Sequence, residues 1–257
     1  MNLDELIERG IARGQLDGLR SLRAAVEDDL SDVPAWWSDL VGVEPRVGAQ
    51  IAAEAWATAY PDHLGELRRL LRETGFATAG WLENENYSGP LVLYFIPDGG
   101  EYGVKDGIDG QIMAGYPPVS DSAAVERLQQ SVRSFYENLH DGLNITFVGR
   151  SGSSIVRSAA LEDMETVTGV GQEAITDDLP LPISAEDLLV LWTDPNGSKV
   201  FVDVGKTQDE RIAYDWSEGY VDWHPKDLPG CPAAVNPMQL VEDNILGILG
   251  YETELIL

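Results

Sequence analysis

Residues 135–147 read FYENLHDGLNITF: an apolar-periodic run that stops at His140-Asp141-Gly142 and resumes as a β-rich segment. Upstream, Val125, Leu128, Val132, Phe135 and Leu139 recur at i, i+3, i+7, i+10 and i+14. That spacing puts one apolar stripe on a helix over SAAVERLQQSVRSFYENLHDG, residues 122–142. Gly142 stands where a helix takes its left-handed C′ residue, and NITFV follows as a strand. His140 and Asp141 admit two readings, a catalytic dyad or the end of a helix. In the last turn the negative dipole end favours an imidazolium. Neighbouring helical side chains point about 100° apart and are poorly placed to bond each other. The helix stop is the expectation, and with it little effect on stability from His140→Gln.

On the N-terminal side, LDELIERGIARGQLDGLRSLRAAVEDDL has helical periodicity weakened by Gly10, Gly14 and Gly18, each costing up to about 1 kcal/mol against alanine. A turn at Asp32-Val33-Pro34 leads to a short apolar segment at Trp36-Trp37. AQIAAEAWATAY and PDHLGELRRLLRETG read as two further helices, the second with Leu64, Leu67, Leu70 and Leu71 on one face and closed by Gly75. FATAGWLENE and GPLVLYFIP read as strands around the turn Asn86–Gly89, and DGGEYGVKDGIDG as a glycine-rich turn region. On the C-terminal side, GRSGSS reads as a turn, SAALEDMETV as a short helix, and residues 168–187 as a polar connection containing prolines. LLVLWT-DPNG-SKVFVDV is a hairpin signal. RIAYDWSEGYVDWHP reads as two short strands. NPMQLVEDNILGILG is a helix with Asn236 as N-cap, Pro237 at N1 and Gly250 at C′, and with Met238, Val241, Ile245, Ile248 and Leu249 on its buried face. The expected class is α+β: a helical N-terminal region, 1–75, followed by an α+β domain, 76–257, with a mainly antiparallel sheet packed with helices.

The chain has 257 residues, 44% of them hydrophobic, long enough to bury a core without a disulfide or metal. The single cysteine, Cys231, excludes an internal disulfide. The charged N-terminus lacks the apolar region of a secretory signal, so a cytoplasmic location is expected, and the matches to N-x-[ST] at Asn86, Asn144 and Asn196 carry no weight. Charge is the compositional extreme: 44 acidic against 17 basic residues, a formal net of −27. Residues 1–72 hold 13 acids and 8 bases, residues 73–257 hold 31 and 9. Such a surface repels phosphate backbones and anionic lipid, which argues against nucleic-acid and membrane partners, and it speeds encounter with a basic protein.

Chemistry is hard to find. His63, His140 and His224 lie far apart, and none has HExxH spacing. GVGQEA (169–174) matches a dinucleotide fingerprint in letters, but acidic, proline-broken ITDDLPLP follows where the phosphate-binding helix belongs. GRSGS around Ser151 lacks the second glycine of a nucleophile elbow. The carboxylates Asp98, Glu101, Asp106 and Asp109 lie among glycines as a weak calcium candidate. No cofactor and no metal site are expected, and the chain reads as a non-enzyme.

From residue 121 to 250 the order of elements resembles the SUKH superfamily, many of whose bacterial members are immunity proteins of polymorphic toxin systems. Four stretches carry the resemblance: VRSFYENLHDGLNI, SAALEDM, VLWTDPNGSKVFVDV, and DWSEGYVDW leading to NPMQLVEDNILGIL. The proline that the family often has at the start of its first helix is missing, and the first 115 or so residues have no counterpart. The resemblance implies an α+β fold with a strongly bent sheet, and binding without catalysis. The expected partner is then a basic toxin domain, with Tyr214, Trp216, Tyr220 and Trp223 as anchors interleaved with Asp215, Glu218 and Asp222. The same aromatics also fit as strand residues packing the core. A binding module for a housekeeping partner, and an enzyme with an unrecognised carboxylate site, are the other classes.

Overall fold

The computed structural model describes residues 5, 22–83, 87–97, 110–147, 150–169, 184–194, 199–205, 213–216 and 236–251. The protein is α+β. Among the described residues nine strands form one sheet in strict chain order, every neighbouring pair antiparallel. They are β1 (Leu22–Ala24), β2 (Phe76–Glu83), β3 (Ser88–Pro97), β4 (Gly110–Gly115), β5 (Leu143–Phe147), β6 (Arg150–Ile155), β7 (Leu188–Thr193), β8 (Lys199–Asp203) and β9 (Ala213–Trp216). Seven α-helices are described: α1 (Ala35–Ser38), α2 (Pro45–Ala59), α3 (Gly65–Thr74), α4 (Ala123–Arg127), α5 (Gln130–Asn138), α6 (Met164–Thr168) and α7 (Pro237–Ile248). Among the described residues no helix is long and apolar enough to cross a membrane.

Alternation along β3 divides two apolar layers, as the period of two requires. Val92, Tyr94 and Ile96 join the main core, while Leu91, Leu93 and Phe95 join Ile112 and Ala114 in a second cluster on the opposite face. The helices lie on the Tyr94 side. Trp56 of α2 donates Nε1–H to the Tyr94 hydroxyl at 3.1 Å. A Cβ at Gly48 would stand 2.2 Å from the Ala77 carbonyl oxygen, so glycine is what lets α2 lie directly on β2. The main core runs without a break from Ala25 through α1, α2 and α3 to Leu249, with Trp37, Trp56, Trp192, Tyr136, Phe135 and Phe201 fully buried. Residues 25–71 thus share one core with residues 92–249.

Three sequence expectations need correction. Leu22–Ala24 is an edge strand, not helix: Leu22 packs on the second cluster, and Arg23 lies over Trp81 at 5.2 Å. In a stretch weakened by glycines, backbone pairing and apolar contact outweigh the helical period. The helix read over 122–142 is two, α4 and α5, separated where Leu128 is extended at ψ 151°. Val125, Leu128 and Val132 are all buried across the break; their periodicity records burial and not continuity. GRSGSS, read as a turn, belongs largely to β6, and β4 escaped the reading altogether. Both strands owe their place to pairing with neighbours on each side, because their glycines and serines carry little β signal. The β7–β8 hairpin and α7 form as expected, with the Asn236 side chain accepting from Met238 N–H and Gly250 at φ +70°.

Candidate functional site

Helix α5 ends at Asn138, so Gly142 is not its C′ residue, although its φ of +88° is left-handed as expected. Leu139 to Gly142 form a connection that plunges into the core before β5. His140 is fully buried. Five rings surround its imidazole at centroid distances of 5.6–6.2 Å: Trp36, Trp37, Trp56, Tyr94 and Phe135. The expectation of an imidazolium at a helix end is therefore overturned. Burial pushes the His140 pKa down to about 3, and the ring is neutral. Its tautomer follows from its partners. The Tyr116 carbonyl can only accept, so Nδ1 carries the proton across 3.2 Å, and Nε2 accepts from the Tyr94 hydroxyl at 2.6 Å. Donors then run in one direction, from Trp56 through Tyr94 and His140 to Tyr116. Gly115 makes room for this, since a Cβ there would lie 2.5 Å from the ring.

Asp141 turns the other way. Its Oδ1 accepts from Ser158 N–H at 2.6 Å, and its Oδ2 accepts from both Nε and Nη2 of Arg157 at 3.2 Å. The Arg157 guanidinium lies over Tyr116 at 4.6 Å and Tyr87 at 5.5 Å, and these two rings meet edge to face at 5.0 Å. The Tyr87 hydroxyl donates to the Pro90 carbonyl at 2.5 Å, and the Tyr116 hydroxyl accepts from Asn144 Nδ2 at 3.0 Å. Burial holds the Tyr87 pKa up to about 12 and raises that of Tyr116 as well, so both phenols stay protonated. The cluster gathers the start of β3, the end of β4, the start of β5 and the end of β6, which one end of an antiparallel sheet brings together. Asp141 is buried while the Arg157 side chain is 39% exposed.

His140 and Asp141 are thus neighbours in sequence with separate partners. The first is spent inside the core, and the second pairs with one edge of an arginine. Among the described residues no group of three His, Cys, Asp or Glu side chains is placed to hold a metal ion. His63 contacts Asn236 at the start of α7, and its ring lies tilted against Tyr60 at 4.8 Å. His224, Cys231 and the carboxylates Asp98, Glu101, Asp106 and Asp109 lie outside the described residues.

Of the expected partner-binding residues, Tyr214, Asp215 and Trp216 form most of β9, the strand after β8 in the sheet. The backbone register sets Tyr214 opposite Phe201, Asp215 opposite Val200 and Trp216 opposite Lys199. Glu218, Tyr220, Asp222 and Trp223 lie outside the described residues. Directly paired positions share a face of the sheet. One such row runs through Ala114, Asn144, Ser154, Thr193 and Lys199, and Lys199 is the backbone partner of Trp216. From Asn144 to Lys199 these residues are half-buried and polar, and Ser154 and Thr193 exchange a hydroxyl bond at 3.3 Å. This is the face away from α2 and α3.

Tyr87, Tyr116, Asn144 and Arg157 were not singled out in the sequence. One signal was available: Arg157 is the sole Lys or Arg between Arg150 and Lys199, and an isolated cation in so acidic a stretch implies a specific carboxylate partner. No protein-family model, no curated protein and no solved structure matches the chain.

Proposed function

We propose that the chain is a non-catalytic binding protein, and that its partner is a basic toxin domain which it neutralises as an immunity protein of SUKH type. The carrying observation is the charge of residues 73–257, 31 acids against 9 bases. A field of that sign steers a cationic partner into encounter and suppresses association with acidic ones. The polar row from Asn144 to Lys199 supports the sheet face away from α2 and α3 as the docking side. Trp and Tyr are the residue types that dominate interface energies when they fill partner pockets. The element order α5–β5–β6, then β7–β8–β9, then α7, supports the SUKH resemblance over 121–250.

The test is co-expression of this chain with each product encoded beside it. Rescue from an otherwise lethal neighbour is the expected outcome. A neighbour that kills equally with this protein present and folded, or the absence of any toxic neighbour, removes the immunity reading and leaves a binding module for a housekeeping partner.

A further inference from the structure

The Arg157 cluster uses less of its guanidinium than its construction allows. Nε and Nη2 serve Asp141, whereas Nη1 bonds to none of the described residues, and the side chain is 39% exposed. Every other member is already fixed. Asp141 is held by Ser158 N–H, Tyr87 by the Pro90 carbonyl and Tyr116 by Asn144. A group locked in this way loses little rotamer freedom on binding, and its makeup of one arginine and two half-buried tyrosines is that of an interface anchor.

We propose that the edge of Arg157 left open among the described residues is a docking point for a protein partner, and that it takes a carboxylate side chain of that partner. The choice of occupant follows from charge. On a chain of net charge −27, an acidic group of a partner is repelled almost everywhere. A planar fork braced by two tyrosines offers it a bidentate seat. A single acidic residue on an otherwise basic partner would find a braced seat there and would help to fix the register of the complex. This rests on the binding reading above and adds a feature that the acidic field does not imply.

The test has two arms. In the first, the free protein is titrated with acetyl-Gly-Asp-Gly-amide and with its asparagine counterpart, while the Arg157 Nε–H resonance, assigned by its loss in Arg157→Lys, is followed by NMR. Saturable movement with the aspartate peptide alone is expected. No movement, or equal movement with both peptides, overturns the proposal whether or not a toxin exists. In the second arm, Arg157→Lys keeps a cation beside Asp141 but loses the fork. The dissociation rate from the neutralised toxin should rise at least tenfold, with the association rate within twofold. Should the variant melt early, alanine replacement of the toxin's own acidic residues decides instead, because one of them must reproduce the loss. A complex indifferent to both changes sinks this proposal and leaves the immunity reading standing.

Discussion

At the scale of single residues, His140 carries the clearest consequence. Burial depresses its folded pKa to about 3, from the ordinary imidazole value of 6.5. Between those values the unfolded chain binds a proton that the folded chain refuses, so stability is present above pH 6.5 and is lost as pH falls. The loss approaches 1.4 kcal/mol per pH unit from this one group. Urea denaturation at pH 7.5 and pH 5 should show the loss in the wild type, and a shallower one in His140→Gln. That variant should also be less stable at pH 7.5, by about 2 kcal/mol, since glutamine cannot refill the aromatic cage. Equal slopes in the two proteins would show that the imidazole is not buried neutral. Gly142→Ala meets two penalties, a left-handed φ of +88° and a Cβ placed 2.9 Å from the Ile155 carbonyl oxygen. A thermal-melt deficit of about 2 kcal/mol is expected. The sequence reading had the sign of φ at Gly142 right but its reason wrong, because the glycine lies in the connection to β5 and not at the C′ position of α5. It did not show that His140 is buried: five rings from α1, α2, β3 and α5 converge on it, and no local pattern encodes such a meeting.

At the scale of elements, α3 illustrates how a helix can be ended by others. Leu64 before it is left-handed at φ +54° and offers no capping side chain. Glu242 of α7 reaches across instead, accepting from Leu67 N–H at 2.8 Å. At the other end, Arg46 of α2 donates Nη1–H to the Gly75 carbonyl at 2.8 Å and Nη2–H to that of Glu73, which places a cation at the negative end of the dipole. Glu242→Ala should cost about 1–2 kcal/mol in chemical denaturation. Burial raises the Glu242 pKa, so its ionisation opposes folding, and stability is lost as pH rises through the carboxylate range. Glu242→Gln, which keeps an acceptor but no charge, should therefore gain on the wild type as pH rises from 4 to 7; a constant difference would mean that the carboxyl is already solvated. The leucine stripe of α3 and the caps of α7 were legible, being local. The acid that caps α3 was not, because it lies 175 residues away from Leu67.

At the scale of the molecule, the α+β class and the β2–β3 and β7–β8 pairings were legible in alternating runs and turn residues. The edge strand β1 and the glycine- and serine-rich β4 and β6 were not, since tertiary pairing rather than composition makes them strands. Charge makes a separate prediction. At physiological ionic strength the Debye length is about 8 Å, so steering of a basic partner should already be damped there. Stopped-flow association should slow at least tenfold between 20 mM and 300 mM salt while dissociation changes little. An association rate indifferent to salt would remove the acidic field from any account of binding.

The unbroken chain order of the sheet bears on how the molecule assembles. Each strand can add to the one that precedes it in the chain, so every pairing closes a loop far shorter than the whole chain, although α1, α2 and α3 intervene between β1 and β2. Glu242 is different: its bond to α3 closes a loop of 175 residues. On loop-closure grounds we expect it to act as a latch that engages after the strands have paired. A contact made so late belongs to the native state and not to the barrier. Glu242→Ala should therefore hasten unfolding and leave refolding nearly unchanged.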